Sequence, residues 1–519
     1  MKKISIVAIV LLFATALSAG AQGMEDALRY SQQYYVGSAR TMAMGNAFTA
    51  LGGDLGAMSI NPASTALYNC CEFAITGGWT WDRNDASFLT TEGTYSQSKR
   101  KTTFTIPNIS MAFSMPTGRD YGLVNYSFGF GFNKISNFNS RISFRGDDSG
   151  SSLLGNIADA LEGVDNSYLL ADDAFNVGYC TNQEILAFDA YLVNPYHNLS
   201  DSYIGATENE WTGGGLGVDN ILDKSYDRIR SGGIYDMAFN FGMNFSDKLY
   251  LGANLNINMV DFKDDLCYSE NGTGYSGNYF QSGFKSMEYD YWQETSGVGV
   301  NLQLGAIWVP FDFLRLGASY TTPTVYQLTD TWREAMVSDF AANSAYKSVN
   351  TETDVFSYDY RVEAPSRLSL GAAIVFGHSG LISIDCEKVN YSKTRMSDYN
   401  HNYDTFKDVN NDLSYVGSCK IVRVGAEMNI VNDYVLRGGY AGYIFNAPQY
   451  QYVSFGIGKR IGERSSIDVA FRTSLPYTYS MTPYDDYAYD TAGEALCMAP
   501  TATVTNVAKD LLFTYRVKF

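Results

Sequence analysis

Apolar and polar residues alternate along most of this chain with a period of two, the mark of a strand whose two faces meet different surroundings. From Met237, the residues Met237, Phe239, Phe241, Met243 and Phe245 share one face, and Ala238, Asn240, Gly242 and Asn244 share the other. A short SDK turn follows. Leu249, Leu251, Ala253, Leu255, Ile257 and Met259 then alternate with Tyr250, Gly252, Asn254, Asn256 and Asn258. The pattern predicts fourteen strands, near 71–83, 102–115, 121–134, 232–246, 249–263, 290–309, 313–326, 361–377, 380–393, 415–431, 434–446, 449–461, 465–478 and 506–519. One face suits lipid and the other a polar lumen. A soluble sandwich would give the same periodicity, with the apolar face packed on a second sheet.

The connections separate these two architectures. Short turns at PTGRD, SDK, PFD, HS, ND and GER alternate with long segments at 84–101, 135–231, 264–289, 327–360, 394–414 and 479–505; the link near 447–448 is the exception. An even strand number, short turns at one end and long loops at the other describe an outer-membrane barrel, whose closure leaves no unpaired backbone edge in lipid. The expected fold is therefore all-β: a transmembrane antiparallel β-barrel of about 14 strands with both ends on the periplasmic side. The segment Gly52–Asn69, GGDLGAMSINPASTALYN, breaks the pattern. Its glycines and Pro62 fit neither a strand nor one long helix, and it stands directly before the first strand.

The ends of the chain agree with export to a membrane. Lys2 and Lys3, the apolar run ISIVAIVLLFATAL and Ala19-Gly20-Ala21 form a secretory signal peptide over 1–21, so that Gln22 begins the mature chain. The last residues, LLFTYRVKF, place Leu511, Phe513, Tyr515, Val517 and the terminal Phe519 on one face. Such an ending resembles the signal read by the barrel assembly machinery, a partner during biogenesis. The expected location is the bacterial outer membrane.

Composition narrows function further. Tyr 40, Phe 30 and Gly 48 against Pro 11 fit a barrel with aromatic girdles. Loss of Lys2 and Lys3 takes the net charge from −18 to −20, which argues against nucleic acid as a partner. Seven Cys, odd in number and irregularly spaced, make no disulfide framework, and with only His197, His378 and His401 there is no zinc spacing. No GxSxG or HExxH occurs, and GHSG at Gly377–Gly380 falls in a short turn, so no enzyme, cofactor or metal is expected. Alternation points Arg315, Arg367, Asp385, Glu387, Arg423, Glu427, Arg437, Asp468, Arg472 and Arg516 inward. There they either cross-brace the interior or orient a ligand head group. The 97-residue connection 135–231 carries 15 acids against 5 bases, with helical character around LLGNIADALEGV. Its acids would be solvated or bridged by divalent cations to lipopolysaccharide. Leu153, Leu154, Ile157 and Leu161 would form an entry groove or pack on themselves over the barrel mouth.

The segment Gly37–Leu67, with Gly37-Ser38-Ala39, Gly45-x-Ala47, Ala50 through Asp54 and Asn61-Pro62-Ala63, resembles the N-terminal hatch of the FadL/TodX family of outer-membrane transporters for hydrophobic compounds. The resemblance implies a hatch over 22–69, with Gly45, Asp54, Asn61, Pro62 and Ala63 as its motif, inside a barrel over 70–519. It also implies passive uptake of a hydrophobic small molecule, such as a long-chain fatty acid, with lateral release into the outer-membrane lipid through a gap made by a kinked third strand. Here that strand carries Gly129 and Gly131, and glycine permits a kink. No residue match identifies the ligand. The competing readings are an outer-membrane partner of a secretion or surface-assembly system, and uptake of haem-type ligands.

Overall fold

The computed structural model describes residues 22–90, 93–210, 216–430, 433–444, 450–490 and 493–519. The signal segment, the link at 447–448 and part of the ND turn lie outside the described residues. The wall is a closed antiparallel sheet of fourteen strands. The first six are β1 (Glu72–Thr90), β2 (Gly93–Pro116), β3 (Leu123–Asn137), β4 (Leu222–Phe245), β5 (Leu249–Asn271) and β6 (Phe284–Phe311). Two split strands follow, β7 (Leu314–Thr321 and Thr324–Phe340) and β8 (Phe356–Ala364 and Arg367–Val375). The rest are β9 (Gly380–Asn390), β10 (Ser418–Asn429), β11 (Tyr434–Ile444), β12 (Tyr450–Ile461), β13 (Ser465–Ser474) and β14 (Ala502–Lys518). Each pairs with the next, and β14 closes on β1 from Glu72↔Lys518 to Phe88↔Ala502. Closure matters because an edge strand in hydrocarbon would leave a row of backbone groups without partners.

The alternation sorts as its chemistry requires. Phe239, Phe241, Leu255, Leu302, Leu304, Trp308, Ile384 and Phe455 are exposed on the outside. Asn240, Asn254, Asn256, Asn301 and Gln303 are buried inside and bonded to one another: Asn240 donates to Asn254 at 2.6 Å and Asn254 to Gln303 at 3.0 Å. An apolar band outside and a hydrogen-bonded polar ladder inside is a transmembrane barrel.

The long connections are shorter than the sequence suggests. The strands run on beyond the membrane: β1 and β2 form one hairpin to Thr90 and Gly93, β5 reaches Asn271, and β6 starts at Phe284. Within 135–231, β3 ends at Asn137, a further strand spans Ser140–Asp148, and β4 begins at Leu222. Above the membrane the outer face meets water, so alternation fades and the sequence pattern loses these extensions. What remains between Asp148 and Leu222 folds on itself around helices α3 (Leu153–Ala160) and α4 (Asn182–Asp189), after two helices of the N-terminal segment described below. Leu153, Leu154 and Leu161 are fully buried and Ile157 nearly so, in one cluster with Phe88, Tyr268, Tyr289 and Tyr487 of the strand ends and the last extracellular loop. They are buried in the cap's own core over the barrel mouth. Buried Glu270 of β5 fixes this cap: it accepts from Leu153 N at 2.9 Å, from Tyr268 OH at 2.8 Å and from Ser152 Oγ.

Candidate functional site

The N-terminal residues fill the lumen. α1 (Met24–Ser31) is followed by an extended segment, α2 (Ala39–Ala43), and two 3₁₀ turns at Leu55–Ala57 and Pro62–Leu67. Local chemistry explains each start. Ser38 Oγ accepts from Thr41 N at 3.2 Å, Asp54 Oδ1 from Gly56 N at 2.9 Å, and Asn61 Oδ1 from Ala63 N at 3.0 Å, with Pro62 in the first turn where its missing N–H costs nothing. Short turns with side-chain caps let an irregular backbone be buried without orphaned donors.

The motif residues hold this plug to the wall. Asn61, fully buried, donates to the carbonyls of Thr49 at 2.6 Å, Ala306 at 3.2 Å and Ala318 at 3.3 Å, so it ties two turns of the plug to β6 and β7. Pro62 offers its carbonyl to Asn240 Nδ2 at 2.9 Å, and Ala63 packs with Ala66, Tyr250 and Ile307. Gly45, at φ +62°, donates to Ser454 Oγ at 3.2 Å, and a Cβ there would lie 2.7 Å from the Tyr440 carbonyl oxygen. Asp54, fully buried, accepts from Ser38 Oγ at 2.7 Å and from Arg516 at 3.4 Å.

The inward charges bind the plug as well as one another. Arg40 of α2 pairs with Glu427 at 2.9 Å; Arg437 joins Glu427 at 2.7 Å to Asp468 at 2.6 Å; Arg516 joins Asp468 at 2.6 Å to Asp54. Glu387 takes Arg367 at 2.9 Å and Arg423 at 2.8 Å, and Arg367 also donates to the Ser31 carbonyl at 2.5 Å. Arg315 donates to Leu51 O, Asp385 accepts from Thr49 N, and Arg472 pairs with Asp510 and reaches Tyr35 O. The arrangement is a cross-brace between plug and wall.

The third strand leaves the wall. β2 and β3 pair only from Pro116↔Asn125 up to Asn108↔Asn133. Above that rung the chain breaks at Phe138-Asn139, and its continuation, Ser140–Asp148, pairs with β4 alone. That continuation runs behind β1: Phe144 stacks on Phe88 at 5.5 Å, and Asn84 Nδ2 donates to Arg141 O at 3.0 Å. β2 residues 102–107 are thus left without a ladder partner on that side, a gap in the hydrogen bonding of the wall. Phe104 and Ile106 there are exposed and apolar, and Phe104 packs on Trp79 at 5.4 Å, so the unpaired stretch lies within the lipid-facing band. Lys101 Nζ, bonded to the Arg230 carbonyl at 2.5 Å, bridges its upper end. Gly129 and Gly131 lie below the break, paired on both sides and facing Met58; a Cβ at Gly129 would meet Met58 Cε at 2.7 Å. Their small size admits the plug there.

The plug takes the place of the lost neighbour. Tyr34 N donates to Ile135 O at 2.7 Å, Val36 N to Lys134 O at 3.3 Å, and Ser136 Oγ to Gln32 O at 2.8 Å. Lys134, which the pattern did not single out, is 3% exposed beside the gap, with Nζ bonded to Asn137 Oδ1 at 2.9 Å and 5.5 Å above the Tyr235 ring. Nothing in a strand's local sequence separates such a lysine from one that reaches water. On the outer face of β5 and β6, Cys267, Glu288 and Asp290 bring three donor atoms within 4.8 Å, two of the residues being exposed acids. Without an imidazole or a second thiolate the set suits no structural zinc site.

No protein-family profile matches the chain, and no curated protein does. Solved structures do. The Pseudomonas putida toluene transporter TodX aligns with 93% of this chain and 98% of its own, at 14% identity and a TM-score of 0.50. A Pseudomonas aeruginosa FadL homologue aligns with 94% of this chain and 100% of its own, at 11% identity and the same score. At these identities the likeness establishes the fold: the chain has the architecture of the FadL/TodX outer-membrane channels, a 14-stranded barrel with an N-terminal plug.

Proposed function

We propose that this barrel, with the FadL/TodX channel fold, takes up hydrophobic small molecules passively across the outer membrane and releases them sideways into the bilayer. The observation that carries this reading is the departure of β3 from β2 above Asn108↔Asn133, at the depth of Phe104 and Ile106, beside a lumen that the plug fills. An apolar solute gains about 0.8 kcal/mol per CH₂ on leaving water. A path ending in lipid keeps that gain, whereas a path through the periplasmic end forfeits it.

Buried Lys134 favours an amphipathic carboxylate, such as a long-chain fatty acid, over a neutral hydrocarbon like the toluene of the P. putida transporter. An ammonium at the lip of an apolar gap, held by one neutral side chain, is suited to a head group with the tail lying along the gap. The test is uptake by cells lacking the native gene. Thr105→Trp, which places a large side chain in the gap, lowers uptake of both labelled oleate and labelled toluene to the background while the barrel still migrates as a folded species. Lys134→Met lowers oleate uptake about tenfold, one lost charge-assisted bond, and leaves toluene unchanged. Full uptake of both solutes by Thr105→Trp excludes the lateral path.

A further inference from the structure

The first helix of the plug sits in a partly buried ionic cluster that is one positive charge short. Its acids are Glu25 and Asp26 of α1, Asp264 of β5 and Asp330 of β7; its bases are Arg29 of α1 and Arg228 and Arg230 of β4. Four negative groups stand against three positive ones. The arginines are engaged elsewhere: Arg29 with Glu25 at 3.0 Å and with Asp26, Arg230 with Glu25 at 2.8 Å and Asp264 at 3.1 Å, and Arg228 with Asp264 at 2.7 Å. Asp330 is fully buried, and its carboxylate is bonded by neutral donors, Gln22 Nε2, Gln293 Nε2 and Tyr360 OH each at 3.1 Å, with the Thr295 hydroxyl beside them. Among the described residues no Lys, Arg or His forms an ion pair with it. A buried carboxylate without a cation is costly, so the site calls for a positive group.

The backbone nitrogen of Gln22 is placed to supply it. The Gln22 side chain touches Asp330, and the next nitrogen along the chain, Gly23 N, donates to Asp26 Oδ2 at 3.1 Å. Bond lengths alone then put the Gln22 nitrogen within roughly 6 Å of the Asp26 carboxylate and, through its own side chain and that hydrogen bond, within roughly 9 Å of Asp330. In the precursor this nitrogen is a neutral amide. When the signal segment is removed, water adds across the Ala21–Gln22 bond, the new carboxylate leaves with the leader, and the amine of Gln22 takes up a proton. We propose that the resulting α-ammonium is the missing counter-ion, so that cutting the leader after Ala21 locks α1 into the lumen through an ion pair with Asp330 in the Asp26–Asp330 cluster. The plug's first helix is then held in the mature chain by one ion pair more than in the precursor. The same contact opposes cyclisation of an N-terminal glutamine, in which the amine attacks the side-chain amide carbon and ammonia leaves, because it holds both groups apart.

The experiment uses the full-length protein exported and purified from outer membranes. Mass spectrometry of the N-terminal peptide is expected to show an open Gln22. A start at another residue, or a mass lower by one ammonia, overturns the proposal. Two added alanines between Ala21 and Gln22 move the ammonium away and change no contact of the barrel. They are expected to speed trypsin cleavage at Arg29 about tenfold, the scale of losing one partner of a buried pair. Asp330→Asn is expected to give a similar rise, and the combination no further rise, since both remove one interaction. Heat-modifiable migration on gels confirms that each barrel is folded. Unchanged cleavage in the extended protein, or additive effects of the two changes, overturns the ion pair. None of these readouts uses transport, so the proposed uptake stands or falls separately.

Discussion

At the scale of single residues, the plug depends on a few polar side chains that each satisfy several backbone groups. Asn61 serves one donor and three carbonyls from full burial. Replacing it by alanine takes from Ala63 N and Thr49 O their side-chain partner inside the barrel, at a cost on the order of 2 kcal/mol. Asn61→Ala is therefore expected to expose the plug to protease while the barrel stays folded, and to change oleate uptake; equal uptake would remove Asn61 from transport. In the extracellular cap, Glu208 is buried and accepts from Gly205 N at 2.7 Å. Burial pushes its carboxyl from 4.5 up to about 7. The folded cap thus holds a proton that the unfolded cap loses near its ordinary value, so stability is greatest below about pH 4.5, falls as pH rises to about 7, and is level above. The fall is on the order of 3 kcal/mol. Hydrogen exchange of α3 amides, corrected for intrinsic rates, is expected to show that loss of protection, and Glu208→Gln to flatten it.

At the scale of elements, the wall and plug are shaped to each other by absent side chains. Inward glycines stand where the plug backbone comes close: Gly252 against Pro62, Gly305 against Asn61 and Pro62, Gly317 against Thr49, Gly425 against Met44. Glycine weakens a strand, and here the close approach of a second backbone accounts for it. Gly305→Ala puts a methyl where Asn61 Oδ1 sits. It is expected to dislodge the Asn61–Ala63 turn as strongly as Asn61→Ala does, read as faster trypsin cleavage at Arg40 and a raised sensitivity of cells to large antibiotics. β3 shows the complementary device. Where it gives up β2, its backbone carbonyls at 134 and 135 and the Ser136 hydroxyl are taken up by plug residues 32–36, so the edge of the gap and the plug share hydrogen bonds.

At the scale of the whole molecule, the barrel is closed below by the plug and above by the cap, and its wall is interrupted between β2 and β3. The cap's core and the strand ends form one cluster, separate from the clusters around the plug. The cap can therefore loosen without unseating the plug. Deleting residues 165–200 of the cap is expected to leave the barrel folded and to preserve the distinction between oleate and toluene set by Lys134. Loss of that distinction would place ligand selection in the cap instead of at the gap.

The strand count, the sorting of faces and an N-terminal plug were legible in the chain because each rests on local chemistry: a period of two, turn residues and caps. Strand ends above the membrane were not, since alternation fades once both faces meet water. Nor was the gap. Gly129 and Gly131 stand out in the sequence of β3, yet the break lies beyond them at 138–139, where β3 passes behind β1. Whether two neighbouring strands stay paired depends on what else engages them, here Phe144 stacked on Phe88 and, separately, the plug's Tyr34 and Val36 N–H groups on Ile135 and Lys134, supplied from distant parts of the chain. The same holds for the inward charges. Alternation determines that Arg40's partner Glu427, and Arg437, Asp468 and Arg516, face the lumen. Only the folded chain decides that they pair through the plug, because an ion pair needs a distance and a strand pattern supplies only a direction.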